Sequence, residues 1–133
     1  MGYRISFYRM EPVQIEAGNL PVLASEIPDT YKDDWRTRQP WPATADGMAG
    51  LLEDIGFSTE IDGTGDILIS GWYGEKQPWE GSEILRAIAK AAPSADSTWV
   101  IIGEDEYIWA EVFKDGTVTS EDVEIVVAGR VLS

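Results

Sequence analysis

The chain has 133 residues, a hydrophobic content of 44% and a formal net charge of −14, and it contains no cysteine and no histidine. Its length suits a single domain over residues 1–133 with a buried core, and its hydrophobic content is that of a globular protein. The lack of cysteine excludes disulfides and thiolate metal sites, and the lack of histidine removes the commonest general base and transition-metal ligand. No apolar run reaches the roughly 20 residues of a membrane span. We therefore expect a cytoplasmic protein with no membrane association.

The negative charge is concentrated in residues 43–133, which hold eighteen acidic and five basic side chains. Residues 1–42 are nearly balanced, with six acidic and five basic side chains. Acidic surfaces repel nucleic acid, whose binding depends on cationic contacts with phosphates. They attract basic proteins through long-range steering. The charge thus predicts a basic protein partner and no direct contact with nucleic acid, although solubility alone also explains an acidic composition.

The first half of the chain predicts one strand, one irregular segment and one helix. The stretch "YRISFYR" (3–9) alternates in the manner of a β-strand. Five prolines then interrupt residues 10–44, which we expect to form a long irregular segment packed on the body of the domain. The stretch "ADGMAGLLEDIGF" predicts an amphipathic helix with Asp46 as N-cap and Gly56 as its stop. Its apolar stripe is Met48, Leu51, Leu52 and Ile55.

The second half predicts a hairpin, a second helix and three strands. "STEIDGTGDILISGW" is typical of two strands joined by a glycine-containing turn. Within "PWEGSEILRAIAKAAP" Ile84, Leu85 and Ile88 share one helix face. "STWVIIG", "EYIWAEVFK" and "TVTSEDVEIVVAG" follow, separated by the turns "GEDE" and "KDG". The predicted order is β-α-ββ-α-βββ, which indicates an α+β fold: a two-layer sandwich of mostly antiparallel sheet with two helices on one face.

The strand over 107–113 separates aromatic from aliphatic side chains. Alternation places Tyr107, Trp109, Glu111 and Phe113 on one face, the ring face, and Ile108, Ala110 and Val112 on the other. We expect the aliphatic face to pack against the helices. Aromatic rings exposed to solvent lose the free energy that burial would provide. Another part of the chain or a second chain is therefore needed to cover the ring face. Residues 10–44, with Trp35 and Trp41, are favoured for that role over a second chain.

Motifs for standard enzyme chemistry are missing. No serine has a histidine to activate it, and no glycine-rich nucleotide loop is present. The segment "DGTGD" (62–66) lacks the ligand spacing of a calcium loop and predicts a plain hairpin turn. Paired carboxylates beside a tryptophan are the remaining enzymatic possibility, since glycoside hydrolysis uses two carboxylates. Those residues would be Glu104, Asp105 and Glu106 with Trp109. We expect no catalytic residue, no metal site and no cofactor.

The connection "GWYGEKQPWEG" (71–81) holds three aromatic side chains that a turn does not require. Trp72 continues a strand, so we expect it to be at least partly buried. Tyr73 lies in the turn itself and should be exposed. Trp79 lies in the first turn of the predicted helix, off the centre of its apolar stripe, and should be half exposed. The stretch is therefore predicted to be structural at Trp72 and available for contact at Tyr73 and Trp79.

Residues 84–118 resemble a pattern found in small proteins of bacteriophages and bacterial mobile elements. The pattern is an Ile/Leu/Ala helix and a strand, then Gly-Glu-Asp-Gly, an aromatic residue and an "F-x-D-G-x-V" hairpin. The matching positions are Gly103, Glu104, Asp105, Trp109, Phe113, Asp115, Gly116 and Val118. The chain departs from the pattern at Glu106, where glycine is usual, so the first turn could differ in type. The resemblance implies a phage or mobile-element origin and therefore a location in the host-cell cytoplasm. It does not indicate any particular activity.

These observations predict a non-enzymatic, acidic, protein-binding accessory factor, an inhibitor or modulator of a basic host protein. A basic site that normally holds nucleic acid is one candidate target. The predicted partner-binding residues are Glu104, Asp105, Glu106, Asp115, Glu121, Asp122, Glu124, Tyr73 and Trp79. Two alternatives of other classes remain: a small carbohydrate-directed hydrolase, and a structural subunit that forms a homodimer through the ring face.

Overall fold

The computed structural model describes residues 4–27, 42–74, 83–127 and 130–132, with side chains described through residue 124. These residues form an α+β sandwich of antiparallel strands and three α-helices, which confirms the predicted fold class. The strands are β1 (Ile5–Met10), β2 (Val13–Ile15), β3 (Phe57–Ile61), β4 (Ile67–Trp72), β5 (Asp96–Gly103), β6 (Ile108–Lys114), β7 (Thr117–Asp122), β8 (Ile125–Val127) and β9 (Arg130–Leu132). The helices are α1 (Leu20–Glu26), α2 (Ala45–Ile55) and α3 (Glu83–Ala91), and a 3-10 turn (Ala17–Asn19) precedes α1.

The strands of the described residues fall into three sheets. The first has the order β1-β5-β6-β7, the second β2-β4-β3, and the third is the hairpin β8-β9. Every pairing is antiparallel. Tyr8 is an extra residue in β1, because Phe7 lies opposite Ile101 and Arg9 lies opposite Val100. Such a bulge lets Phe7 and Met10, which both pack against the core, face the same side of the sheet.

Local sequence signals account for α2, α3 and the hairpins. Gly56 ends α2 with a φ of 132°, as predicted. The N-cap lies two residues earlier than expected: Thr44 Oγ1 accepts from the Gly47 amide at 3.1 Å, and Asp46 lies in the first turn. The "DG" turn between β6 and β7 has φ values of 54° at Asp115 and 76° at Gly116. Two positive φ values are those of a type I′ hairpin turn.

The prediction of an irregular segment over residues 10–44 is wrong for its described first part. Val13 and Ile15 form a strand with β4, and Leu20–Glu26 form a helix that packs on α3. The fold therefore has a third helix beyond the two predicted. Neither proline breaks these elements. Pro12 precedes β2, and Pro21 lies in the first turn of α1, where its missing N–H costs nothing. Residues 28–41, with Trp35 and Trp41, lie outside the described residues.

The ring face of β6, with Trp99 of β5 opposite Glu111 on the same side, faces the core. This corrects the expectation that the aliphatic face would do so. Trp99 and Phe113 are fully buried, with ring centroids 4.5 Å apart. Phe57 from the second sheet lies 5.6 Å from Trp99, and Phe7 from β1 lies 5.7 Å from it. The described chain thus covers the ring face around Trp99 and Phe113, whereas Tyr107 at its end stays exposed. Alternation shows which side chains share a face, but larger aromatic area decides which face is buried.

Candidate functional site

The turn between β5 and β6 presents three consecutive acidic side chains to solvent. The Gly103 amide donates to the Tyr107 carbonyl at 2.8 Å, and the Glu106 amide donates to the Gly103 carbonyl at 2.9 Å. Glu104, Asp105 and Glu106 are all exposed. The closed turn fixes their backbone, so their carboxylates project from a rigid support.

Glu106 has a φ of 67°, which is the left-handed region. Glycine adopts this conformation without a steric penalty, whereas other residues pay for their Cβ. The turn therefore has the shape that glycine would give it, although the sequence departs from glycine at this position. A non-glycine residue held in such a conformation is uncommon, and such positions cluster at functional sites.

Tyr107 lies across the end of the sheet, beside β7. Its side chain is 53% exposed, and its ring stacks on Trp109 with centroids 5.6 Å apart and an interplanar angle of 18°. Its hydroxyl donates to Asp122 Oδ1 at 3.0 Å. This hydrogen bond and the negative charge of Asp122 raise the pKa of Tyr107, so its hydroxyl remains a donor. The aromatic pair is thereby held in place without a ligand.

We call Glu104, Asp105, Glu106, Tyr107 and Asp122 the acidic edge. Residues 104–124 carry eight acidic side chains and one basic side chain, Lys114. The described residues form ion pairs elsewhere, between Arg9 and Glu11 at 3.9 Å and between Lys90 and Glu26 at 3.1 Å. None of Glu104, Glu106 and Asp122 forms an ion pair with a described residue. The acidic edge therefore has negative charge that the described part of the chain leaves uncompensated.

The start of β1 holds the acidic turn in place. The Glu104 amide donates to the Arg4 carbonyl at 2.9 Å, and the Arg4 amide donates to Glu104 Oε1 at 3.3 Å. A shallow cavity of about 330 Å³ lies beside this contact, lined in part by Arg4, Gly74, Gly103 and Glu104. The end of β4 thus comes close to the acidic edge, although 29 positions in the numbering separate Gly74 from Gly103.

The structure brings together some of the predicted binding residues and separates others. Glu121, Asp122 and Glu124 are exposed at or just beyond the end of β7. Glu121 and Asp122 point to opposite faces, because they are adjacent in a strand. Asp115 is exposed in the turn at the other end of β6, about 25 Å from the acidic turn by the rise of the strand. Asp115 therefore does not belong to the acidic edge.

The rings of residues 71–81 divide as predicted where the structure describes them. Trp72 is partly buried, with its ring centroid 5.0 Å from Phe57 and 5.7 Å from Phe7. Tyr73 is 61% exposed, and its hydroxyl donates to the Glu53 carbonyl. Burial of its hydroxyl region and the nearby acids Glu53 and Asp54 raise the pKa of Tyr73. Trp79 lies outside the described residues.

Trp72 is partly buried for a reason that alternation alone would miss. Ile69 lies opposite Thr59, and Gly71 lies opposite Ser58, so Ser70 is an extra residue in β4. This bulge returns Trp72 to the core side with Ile67 and Ile69, rather than to the side of Leu68 and Ser70. Two glycines accept its ring: a Cβ on Gly74 would lie 2.6 Å from Trp72 Cζ2, and one on Gly56 would lie 2.9 Å from Cη2.

Glu111 is a buried carboxyl that the predicted site did not include. It is 1% exposed and lies opposite Trp99 on one side and Ser120 on the other. The Ser120 hydroxyl donates to Glu111 Oε1 and lies 3.1 Å from Oε2. Burial raises the pKa of Glu111, and the Ser120 hydrogen bond opposes this only in part. The sequence signal for this buried carboxyl was that Glu111 shares the ring face with three aromatic side chains.

The "DGTGD" segment is a hairpin turn held by its own carboxylates. Asp62 Oδ1 accepts from the Thr64 amide at 2.8 Å, from the Thr64 hydroxyl at 2.6 Å and from the Asp66 amide at 3.1 Å. These hydrogen bonds lower the pKa of Asp62. Asp66 accepts from Gln14 Nε2 and the Ala17 amide, both at 2.8 Å, and so ties the turn to the start of the 3-10 helix. Both carboxylates therefore have structural roles.

Comparison with protein-family models, with curated proteins and with solved structures gave no match. Among the described residues, no three or more carboxylate side chains are grouped as metal ligands would be. No helix in the described ranges has the length and apolar character needed to cross a membrane.

Proposed function

We propose that the protein is a non-enzymatic accessory factor that binds a basic site on a partner protein through its acidic edge. The observation that carries this proposal is the Tyr107–Trp109 stack, which Asp122 holds by a hydrogen bond beside the exposed carboxylates of Glu104 and Glu106. An exposed aromatic ring beside exposed carboxylates suits a lysine or arginine side chain, which gains cation–π contact and charge-assisted hydrogen bonds together.

Rigidity of the acidic edge supports a binding role. Each side chain that is ordered before association saves about 0.5–1.5 kcal/mol of ordering cost on binding. Tyr107 is held by a stack and a hydrogen bond, and Glu104 is held by Arg4. Aromatic residues also dominate the energetic centres of protein interfaces. The acidic edge has both properties.

The resemblance to small bacteriophage and mobile-element proteins supports a host protein as the partner. A protein of that origin acts in the host cytoplasm, and inhibition or modulation of a host protein is the role that we propose for its acidic edge. A partner surface that binds nucleic acid is basic, so an acidic edge of this kind would compete for it by imitating phosphate charge. The proposed role is therefore inhibition of a basic host protein, with a nucleic-acid-binding site as the favoured target.

A pair of charge-matched triple variants tests the proposal. In one variant Glu104→Gln, Glu106→Gln and Asp122→Asn remove charge from the acidic edge. In the control Glu16→Gln, Asp46→Asn and Glu60→Gln remove the same charge from exposed positions elsewhere. Both change the net charge of −14 by the same three units. Wild type and the two variants serve as baits in a host lysate, and mass spectrometry identifies the retained proteins.

We expect a basic protein retained by wild type and by the control but lost by the acidic-edge variant. Its affinity should fall with salt, mainly through the association rate, because electrostatic steering is screened. Equal loss in both variants would mean that net charge alone acts, and the acidic edge would then not be the site. Hydrolysis of a carbohydrate panel that disappears only in the acidic-edge variant would contradict the non-enzymatic role.

A further inference from the structure

Strand β7 is an edge of the four-stranded sheet. Within the described residues it pairs with β6 alone, and β8 and β9 form a separate hairpin. An edge strand presents backbone N–H and C=O groups to any extended segment that can align with it. Recognition by strand addition uses those groups for affinity and the neighbouring side-chain pockets for specificity.

The register shows which groups of β7 are directed outward. In an antiparallel pair both backbone groups of a residue point to the same side, and the side alternates along the strand. The Gly103–Tyr107 hydrogen bond closes the β5–β6 turn, so the odd-numbered residues of β6 bond to β5 and the even-numbered residues bond to β7. Their partners in β7 are Thr117, Thr119 and Glu121. The outward N–H and C=O groups therefore belong to Val118, Ser120 and Asp122.

A groove lies along the start of this edge. Its volume is about 600 Å³, and its lining includes Thr117 and Val118 from the strand and Arg86, Ala87 and Lys90 from α3. Val118 faces the core side of the sheet and is half-buried. Alternate side chains of a strand added to β7 would point to the same side and enter this groove. The edge thus has both the backbone groups and the pocket that strand addition needs.

The charge of β7 selects the occupant, because the charges of the groove are balanced, with Arg86 and Lys90 beside Glu26 and Glu83. Its exposed end carries Glu121 and Asp122, and no residue of Thr117–Asp122 is basic. A second copy of the chain, with its own net charge of −14, is repelled. A segment with lysine or arginine side chains gains opposite-charge pairs across the strands instead. We propose that β7 is a docking edge for an extended, basic segment of the partner protein, which adds to the sheet as a fifth strand. This inference rests on the proposed function and names its binding mode.

Amide hydrogen exchange on the full, ¹⁵N-labelled chain tests the inference. The probe is a synthetic octapeptide of alternating lysine and valine, with a glutamate–valine octapeptide as its control. In the free protein the amides of Val118, Ser120 and Asp122 should exchange faster than those of Thr119 and Glu121. The basic peptide should slow the three outward amides at least about tenfold, as expected for newly hydrogen-bonded groups, and the acidic peptide should not. Outward amides that are already protected in the free protein would overturn the inference, because the edge would then be covered.

Two variants at Ser120 distinguish the contribution of its outward backbone N–H to peptide binding from that of its side chain. Ser120→Ala and Ser120→Pro both lose the hydroxyl that contacts Glu111, but only the proline removes the outward N–H, a change that edge strands tolerate. Affinity for the basic peptide should fall about tenfold more in Ser120→Pro than in Ser120→Ala, the effect of roughly one hydrogen bond. Equal affinities in two folded variants would overturn strand addition. The exchange experiment on the unchanged chain decides the matter if the proline variant does not fold.

The peptide and hydrogen-exchange experiments also distinguish failure of this inference from failure of the proposed function. A basic peptide that shifts the resonances of Tyr107 and Asp122 without protecting the amides of β7 would overturn strand addition and leave the acidic edge as the binding site. Exchange that slows only as the protein itself is concentrated, without peptide, would identify a second copy as the occupant and would overturn the basic segment.

Discussion

Glu111 couples the stability of the fold to pH in the direction opposite to that of most carboxylates. Its carboxyl is buried among aromatic side chains, and Ser120 is its hydrogen-bonding partner in the described residues. Because burial raises its pKa, the folded state binds this proton more tightly than the unfolded state does. Between the ordinary pKa of glutamate and the raised one, stability therefore falls as pH rises. Below that window the contribution of Glu111 is fully present.

We predict that Glu111→Gln raises the free energy of unfolding at neutral pH by on the order of 1 kcal/mol, since it removes a buried group that is short of hydrogen bonds when ionised. At acidic pH, where Glu111 is protonated, the variant and wild type should have similar stability. Urea unfolding from acidic to slightly alkaline pH measures the difference. Ser120→Ala is the opposite control, because it removes the donor that lowers the pKa and should steepen the pH dependence. Parallel curves for wild type and Glu111→Gln would show that Glu111 does not ionise in this window.

Gly74 is required at its position by the ring of Trp72. A methyl group there would meet Cζ2 of Trp72 at 2.6 Å, and the ring also packs on Phe57 and Phe7 and cannot retreat freely. We predict that Gly74→Ala destabilises the fold by about 1–3 kcal/mol, the usual cost of overpacking. Gly18→Ala is the control, because no atom lies within 4 Å of a Cβ there. Urea unfolding followed by tryptophan fluorescence compares them, and equal stability of the two variants would contradict a clamped Trp72.

The β5–β6 turn is an element whose stability and proposed function conflict. Glu106 has a φ of 67°, so Glu106→Gly should relieve backbone strain of about 1 kcal/mol, partly offset by the greater freedom of glycine in the unfolded chain. We predict that Glu106→Gly is more stable than Glu106→Gln by up to about 1 kcal/mol, although both remove the same charge. Thermal unfolding measures the difference, and both variants should bind the basic partner more weakly than wild type. A glutamine variant as stable as the glycine variant would show that the turn is not strained.

Elements defined by local signals could be predicted from the sequence. The periodic stripe of α2, the apolar face of α3 and the Asp115–Gly116 turn each depend on a few neighbouring residues, and each lies where expected. The exposed acidic turn belongs to this class, because three consecutive carboxylates between two strands have no apolar face to bury. Its residues could therefore be named from the sequence alone.

Features set by tertiary contacts could not be predicted. Strand β2 has three residues, and its partner Ile67–Ile69 lies more than fifty positions away. The bulge at Ser70 exchanges the face of Trp72, and alternation gives no sign of it. The hydrogen bond from Tyr107 to Asp122 depends on the register of β6 and β7. The exposure of the acidic residues in the candidate site was thus predictable, but the geometry that joins them to a stacked aromatic pair was not.

At the scale of the whole molecule, a net charge of −14 acts on folding and on binding in opposite directions. Like charges repel one another in the compact state, and the described ion pairs, Arg9–Glu11 and Lys90–Glu26, are exposed and contribute little. Salt screens this repulsion and should stabilise the free protein. The same screening weakens attraction between the acidic edge and a basic partner.

We therefore predict opposite responses to sodium chloride between about 20 and 500 mM, a range over which the screening length falls well below 10 Å. The thermal midpoint of the free protein should rise, by roughly 4 °C for each 1 kcal/mol of relieved repulsion. Over the same range the dissociation constant for the lysine–valine octapeptide should increase. Differential scanning calorimetry and isothermal titration calorimetry give the two quantities. The acidic-edge triple variant should keep the rise in thermal midpoint and lose most of the salt dependence of binding. A midpoint that falls with salt would show that attractive ion pairs, rather than repulsion, dominate the folded state.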